Sequence, residues 1–332
     1  MMTKRNENVD IIKGFGILLM IMGHLGFKDA FAHYIHAFNM PIFFFMSGYL
    51  FSADHYTSSK DFILRKAYKL LIPYLCFGLV NIAVDSFIVE GFDAMTTFKK
   101  LLSYNNNGLS TGGALWFLTA LFFADVVFYV LFKYLDIRVA AGIGMVLAVG
   151  MTFCTYQLPF SMNAGFVGVG FMVPGYLLKQ YGKELEQKLF RMSYLIWALL
   201  FVVNAGLIFV NGYVNMRKNS YAVMPLFFLN GIMAIVLYWI IINKFCNEKN
   251  SKWFQWLVYF SSHAIVMICL NELIITLVNM GFVAFESEFI LWKIILKLVK
   301  LAVVLLSLLG IDLVLRKSVF RFMVGEKVRK KE

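Results

Sequence analysis

Charge is scarce in this sequence. Only 15% of the 332 residues are Asp, Glu, Lys or Arg, against 61% hydrophobic and 17% aromatic, and the mean hydropathy is +0.74. A soluble globular domain spends about a quarter of its residues on charge and keeps its apolar share near half. The composition therefore excludes an ordinary soluble protein and leaves no length for a separate soluble domain. Cysteine is equally sparse. Cys76, Cys154, Cys246 and Cys269 are scattered, three of them in apolar runs, with no C-x-x-C pair, which excludes a disulfide framework and a zinc site; no metal ligation is expected. Alternating apolar and polar residues are missing, which excludes a transmembrane β-barrel. No phosphate-binding loop, no G-x-G-x-x-G after a strand and no G-x-S-x-G elbow occurs, and neither an internal repeat nor a low-complexity segment is visible. Acidic residues are few beside basic ones, 19 against 31, for a formal net charge of +12. In a soluble protein that balance would suggest nucleic acid. Here the basic residues sit in joints between apolar runs, where they set topology, and no nucleic-acid partner is expected.

What fills the chain is apolar runs. A bilayer core needs about 20 mostly apolar residues per helix. Ten candidate spans fit: 9–27, 33–52, 69–89, 114–134, 137–156, 157–178, 194–213, 221–243, 254–280 and 289–315. The fold class expected is an all-α polytopic membrane protein of about ten transmembrane helices. With the N-terminus inside, the inner joints hold 22 Lys and Arg and the outer joints 5, a strong positive-inside bias that places both termini in the cytoplasm. Residues 1–332 form one membrane-embedded unit, ending in a basic cytoplasmic tail at 318–332. Lys4 and Arg5 before an apolar run resemble a signal peptide, but Asp10 and Lys13 interrupt the run, so an uncleaved first span is expected.

The first two spans carry too many polar groups for lipid alone. Asp10, Lys13 and His24 lie in the first, His36, Asn39 and Ser47 in the second. A charge at mid-bilayer costs roughly 2.5–3.5 kcal/mol on insertion scales, and such residues face a protein interior or a wet cavity. Lys13 and His24 are eleven residues apart, three turns plus about 20°, hence on one face about 16 Å apart along the axis. Asp10 stands at i−3 to Lys13 and is placed to pair with it. The stripe runs from a cation near the cytoplasmic end to an imidazole deeper in the membrane, and His is the natural base near neutral pH. His36 and Asn39 share a face at i, i+3, and Pro41 after them bends a helix around a cavity.

At these residues the sequence resembles the acyltransferase 3 family of integral membrane acyltransferases. The resemblance rests on "DIIKGFGILLMIMGH" (Asp10 to His24), "FNMPIFFFMSGYLF" (Phe38 to Phe51), "RKAYKLLIPYL" (Arg65 to Leu75) and "GALWFLTALF" (Gly113 to Phe122). It implies a membrane O-acyltransferase that moves an acyl group, often acetyl, from acyl-CoA to a hydroxyl of a surface carbohydrate or glycolipid. It also implies a multi-pass protein of a bacterial-type plasma membrane, in the stand-alone form without an extracytoplasmic hydrolase-like domain. No resident cofactor is expected; acyl-CoA is the donor substrate, and the carbohydrate or glycolipid acceptor and membrane lipids are the partners. By resemblance His24 is the catalytic histidine, and Lys13 stands where Arg is common. Two positions depart from the family pattern. Asn39 stands where many relatives have His, and in "SSHAIVMICLNELI" Asn271 stands where the late motif often has His, with His263 and Glu272 nearby. Asn can hydrogen-bond a hydroxyl but cannot take its proton, so His24 is the best single base.

Acyl transfer from a thioester to an alcohol needs a base, an oxyanion donor and positioning of both substrates. His24, with Asp10 and Lys13, forms the expected catalytic stripe, Asp10 holding Lys13 rather than orienting His24. His36, Asn39, Ser47 and Trp116 are the acceptor or oxyanion candidates. Lys13 with Arg65, Lys66 and Lys69 is the expected site for coenzyme A phosphates, since Lys and Arg suit phosphate recognition. Lys293, Lys297 and Lys300 repeat at i, i+4, i+7 on the last span, as snorkelling cations or as a wall facing an anionic acceptor or lipid phosphate. The competing function is a transporter or flippase of a glycan or lipid-linked intermediate, which also suits broken helices and buried charge.

Overall fold

A computed structural model of the protein describes residues 6–27, 29–107, 109–245, 251–286 and 289–326. Lys4, Arg5, Lys28, Cys246, Lys249, Glu288 and the basic residues from Lys327 onward lie outside them. The described residues are helical and contain no strand; Asn215 and Ser220 form an isolated antiparallel bridge. In chain order the α-helices are α1 (Glu7–His24), α2 (Asp29–His36), α3 (Pro41–Leu50), α4 (Ser59–Ile88), α5 (Ala94–Leu101), α6 (Trp116–Tyr134) and α7 (Ile137–Thr152). There follow α8 (Met162–Tyr181), α9 (Lys183–Phe190), α10 (Tyr194–Asn211), α11 (Met224–Phe245), α12 (Gln255–Ser262), α13 (Ala264–Phe282) and α14 (Ile290–Lys317).

Seven helical segments among the described residues are long and apolar enough to cross a membrane: Ser59–Ile88, Ser110–Tyr134, Pro159–Tyr181, Tyr194–Asn211, Met224–Phe245, Ala264–Phe285 and Ile290–Lys317. Their outward positions are apolar, as at Phe87 (91% exposed), Leu195 (80%) and Val210 (75%). An apolar exterior of this extent is the surface that lipid covers. The other three expected spans take different forms. Helix α1 carries Glu7, Asp10 and Lys13 within its 18 residues. Helix α7 has only 16 residues. The second expected span, 33–52, is two short helices.

Pro41 explains that break. Pro41 has no N–H to give to the carbonyl four residues back, which interrupts a helix running through it, while Pro itself fits the first turn of a new one; Met40 before it keeps helical backbone (φ −80°, ψ −40°). The chain leaves α2 at His36 and restarts at Pro41 as α3, and the Asn39 side chain takes the Met40 N–H (2.8 Å). Between α7 and α8, Phe160 and Ser161 adopt left-handed backbone (φ 54° and 53°), at roughly 1–2 kcal/mol each. Their anchors are outside the turn: Phe160 N–H donates to Ser103 O (2.6 Å) and Ser161 Oγ to Asn105 Oδ1 (2.8 Å).

Glycines let the inner helices touch backbone to backbone. A Cβ on Gly48 of α3 would lie 2.0 Å from the Met172 carbonyl oxygen of α8, and one on Gly175 of α8 would lie 2.1 Å from that of Phe45. Gly14 of α1 meets the Leu257 carbonyl of α12 in the same way. Small residues at such crossings replace the hydrophobic drive that lipid cannot supply. Gly48→Ala should therefore lower the thermal midpoint of the detergent-purified protein, by an overpacking cost of about 1–3 kcal/mol. Gly206→Ala, where a Cβ meets nothing within 4 Å, should leave it unchanged. Equal midpoints for the two variants would sink this account of the α3–α8 crossing.

The chain end folds back on the bundle. After α14 a 3-10 turn, Val319–Val324, leads to Gly325 (φ 74°). Tyr68 of α4 donates to the Glu326 carbonyl (3.1 Å), and the Glu326 side chain pairs with Arg316 and with Arg321 (2.7 Å). The first nine residues of the expected basic tail, 318–326, are thus docked on α4 rather than extended.

Candidate active site

Two polar cavities lie at opposite ends of α1. The smaller, about 130 Å³, is lined by Met20, His24, His36, Asn39, Trp116, Arg217 and Glu272 among others. Here the late half of the chain meets the first span. His24 Nδ1 stands 3.5 Å from Glu272 Oε1 of α13. Glu272 Oε2 accepts from the Gly113 N–H (3.0 Å). The Arg217 guanidinium comes from the turn between α10 and α11, its Nε donating to Asn106 O (2.9 Å). A Cβ on Gly113 would lie 2.2 Å from Glu272 Oε2 and 2.6 Å from Arg217 Nη1, so a side chain there would displace both groups. The Glu272 carboxylate and the Arg217 guanidinium thus converge on one backbone position, with His24 against the carboxylate.

Helix α4 holds that position in place. Asp85 accepts from Thr111 through its side chain (2.7 Å) and its backbone N–H (3.3 Å), and Asn81 takes the same Thr111 hydroxyl at 3.1 Å. Asn81 also donates to Cys269 O of α13 (3.3 Å). These bonds fix the 3-10 turn Ser110–Leu115 against α13, one turn from Glu272. Asp85 had no assignable partner in the sequence; its partner is this turn.

His36 borders the same pocket, with Nδ1 2.9 Å from the Tyr213 hydroxyl. Asn39 and Trp116 border it too, both buried (5% and 6% exposed). The Asn39 oxygen is committed to Met40 N–H, which leaves its amide N–H groups as donors. Asn271 does not reach the pocket. It is fully buried and donates to Ile268 O (2.7 Å), so its neighbour Glu272 is the polar residue of "LNELI" that faces His24. His263, at the other end of α13, lies 3.4 Å from Asp312, which Arg316 also holds (2.6 Å).

The larger cavity, about 590 Å³, opens at the Lys13 end. Lys13, Arg65, Lys66 and Lys69 all line it. Asp125 crosses its wall, pairing with Lys66 Nζ (2.8 Å) and accepting from Ser47 Oγ (2.6 Å). Ser47 therefore belongs to this cavity and not to the His24 pocket where it was expected, because α3 carries it two turns beyond Asn39. Arg65 pairs with Asp61 at i−4 (2.7 Å). Asp10 also stays at this end, accepting from Ser261 Oγ (2.9 Å), about 21 Å along α1 from His24. It does not reach the reacting pocket.

Ring contacts run from one cavity to the other. Phe43 and Phe117 border the larger cavity. Their centroids are 5.4 Å apart, with Phe44 5.4 Å and Trp116 6.0 Å from Phe117. Trp116 and Phe117, adjacent in sequence, thus face different cavities.

Glu272 and Arg217 were missed as site residues. An acid inside an apolar run is itself a signal, and Glu272 carried it. Arg217 had none, since an arginine in a loop reads as a topology marker. No curated protein and no solved structure matches the chain. The family model described as an acyltransferase domain matches residues 6–314, nearly the whole chain, and this all-helical protein with its polar pockets among apolar helices belongs to the acyltransferase 3 family of membrane acyltransferases.

Proposed function

We propose that the protein transfers an acyl group, acetyl in the simplest case, from acyl-CoA to a hydroxyl of a surface carbohydrate or glycolipid, with His24 as general base. The observation that carries this is the pair of cavities at the two ends of α1: a His–carboxylate pair in one, a cluster of lysines in the other, and a ring contact, Trp116 on Phe117, joining their walls.

The carboxylate of Glu272 draws the Nδ1–H of His24 toward itself and leaves Nε2 as the base, the tautomer logic of a His–acid pair. The acceptor hydroxyl gives its proton to Nε2 as its oxygen attacks the thioester carbonyl. A tetrahedral oxyanion forms, stabilised by the Asn39 amide and the Arg217 guanidinium at the pocket wall. When it collapses, the C–S bond breaks and the imidazolium returns the proton to the coenzyme A sulfur. The products are an ester and the free thiol.

The donor approaches from the Lys13 end, which the bias of basic residues assigns to the cytoplasm, with both termini, in a bacterial-type plasma membrane. Lys13, Lys69 and Arg65 supply charge for the phosphates, while Lys66 is held by Asp125. The pantetheine arm is long and narrow enough to carry the thioester up to these rings. Support for the acceptor side comes from Trp116 and His36, an aromatic and a hydrogen-bonding wall of the type sugars use.

The test is the O-acyl content and total amount of surface polysaccharide in a null strain complemented with wild type or His24→Ala. The polymer should persist throughout, and only wild type should restore acyl esters. Loss of the polymer itself in the null strain, restored by His24→Ala, would make the protein a carrier and not a transferase.

A further inference from the structure

A third polar cavity lies beside the His24 pocket and takes no part in the reaction above. It measures about 520 Å³ and opens between α13, α14 and the end of α1, with Leu25, Thr276, Asn279, Glu286, Lys297 and Lys300 in its walls. Lys300 is buried (7% exposed), ten residues inside a helix made almost wholly of Leu, Ile and Val. A lysine at that depth is costly and persists where it meets a cavity or a partner. Side chains on a helix lean toward its N-terminus, so Lys297 and Lys300, at i, i+3, carry their ammonium groups toward the same end of α14.

The partners of these two lysines are unequal. Lys297 Nζ donates to the Gly26 carbonyl just past α1 and stands 5.8 Å from the Phe27 ring centroid. Lys300 Nζ meets Glu286 Oε1 at 3.3 Å, but that carboxylate is 63% exposed against 9% for the lysine side chain. The cation is fixed and the anion is on the surface. Among the described residues, two ammonium groups and one carboxylate line the cavity, an excess of one positive charge. Asn279 adds amide donors. Beside them Met280 (54% exposed) and Val283 (65%) also border the cavity, and the outer face of α14 is apolar through Ile294 and Leu298. Snorkelling alone explains a lysine that reaches water along the lipid surface. It does not explain one buried against a cavity that has a polar floor and an apolar rim.

We propose that this groove binds the phosphate of a membrane amphiphile. Lys297 and Lys300 hold the phosphate oxygens, a singly charged phosphate neutralises the excess charge with Glu286 still at the edge of the groove, and the hydrocarbon chain lies along the apolar faces of α13 and α14. The phosphate has two sources: a bilayer glycerophospholipid, or the lipid that carries the acceptor. Thr276 Oγ1 donates to Glu272 O (2.9 Å), so the groove begins one helical turn from the carboxylate at His24. The link to the acceptor rests on the acyl-transfer reading; the binding of phosphate does not.

The experiment is native mass spectrometry of the full-length protein in a neutral detergent, without acyl-CoA. Dodecyl phosphate, phosphatidylglycerol and inorganic phosphate are the probes, and phosphatidylcholine is the zwitterionic control. Wild type should bind dodecyl phosphate or phosphatidylglycerol one to one, preference for the monoester indicating a lipid carrier and for the diester a bilayer lipid. Lys297→Met/Lys300→Met should weaken that binding at least tenfold. Glu286→Gln should tighten it severalfold, a gain that misfolding cannot produce, and His24→Ala should leave it unchanged. Wild-type binding in the double lysine variant overturns the proposal, as does binding of inorganic phosphate in preference to both amphiphiles. Because no acyl group is present, failure here leaves the transferase assignment standing, and failure of the ester assay leaves the groove standing.

Discussion

His24→Ala lowers the rate of acyl transfer by about 10²–10⁴-fold, the range that a positioned general base contributes. The Michaelis constant for acyl-CoA changes little, because Lys13, in the wall of the proposed donor cavity, lies about 16 Å along α1 from His24. Steady-state kinetics of the purified protein, following thiol release, gives both numbers. Glu272→Gln acts through His24 and costs less, about tenfold or more, since the Gln amide also occupies the Gly113 N–H but no longer draws the Nδ1 proton by charge. Its signature is a fall in kcat with the donor constant unmoved. A His24→Ala enzyme that keeps more than a tenth of wild-type kcat, or one that loses donor affinity and keeps kcat, would remove the histidine from the chemistry.

The second large effect is on stability. Lys66→Met leaves the Asp125 carboxylate, 3% exposed, with the Ser47 hydroxyl against it at 2.6 Å. Removing one member of a buried ion pair costs about 3–5 kcal/mol, because the other charge stays behind without compensation. Asp125→Leu should cost less, since the Lys66 side chain keeps 24% exposure to the cavity and its ammonium can hydrate. The double variant, with both charges gone, should recover most of the loss. Thermal melts of the four proteins in one detergent decide it. If Lys66→Met melts like wild type, or if the double variant is the least stable of the set, the pair is not the strut that the geometry makes it.

The helices were legible because a bilayer demands long apolar runs, and the runs are there. The break in the second span was legible as a proline, though not that Pro41 would end one helix and start another. Helical periodicity tells which residues share a face, so it joined Lys13 to His24. It does not tell what stands opposite that face. Glu272 is 248 positions from His24 and Arg217 is 193 from it, and nothing local in either stretch names the partner. Depth misled in the same way. Ser47 lies in the expected span, but a helix that restarts at Pro41 carries it to the other cavity. Lys66 and Asp125, which read as a phosphate ligand and an unassigned acid, are each other's counter-ion. The family motifs located the pocket; the contacts across α13 and the α10–α11 turn are what complete it.

The rings at Phe43 and Phe117 have an electrical consequence. Two wet cavities that approach each other from opposite ends leave most of a membrane voltage to fall across the dry partition between them. A charge crossing it would meet nearly the whole potential, about 2.3 kcal/mol per elementary charge for each 100 mV. In the proposed reaction the phosphates stay on one side, an uncharged acyl group passes from donor to acceptor, and the proton of the acceptor hydroxyl leaves the other way on a neutral thiol. On that reading the transfer neither draws on the membrane potential nor short-circuits it.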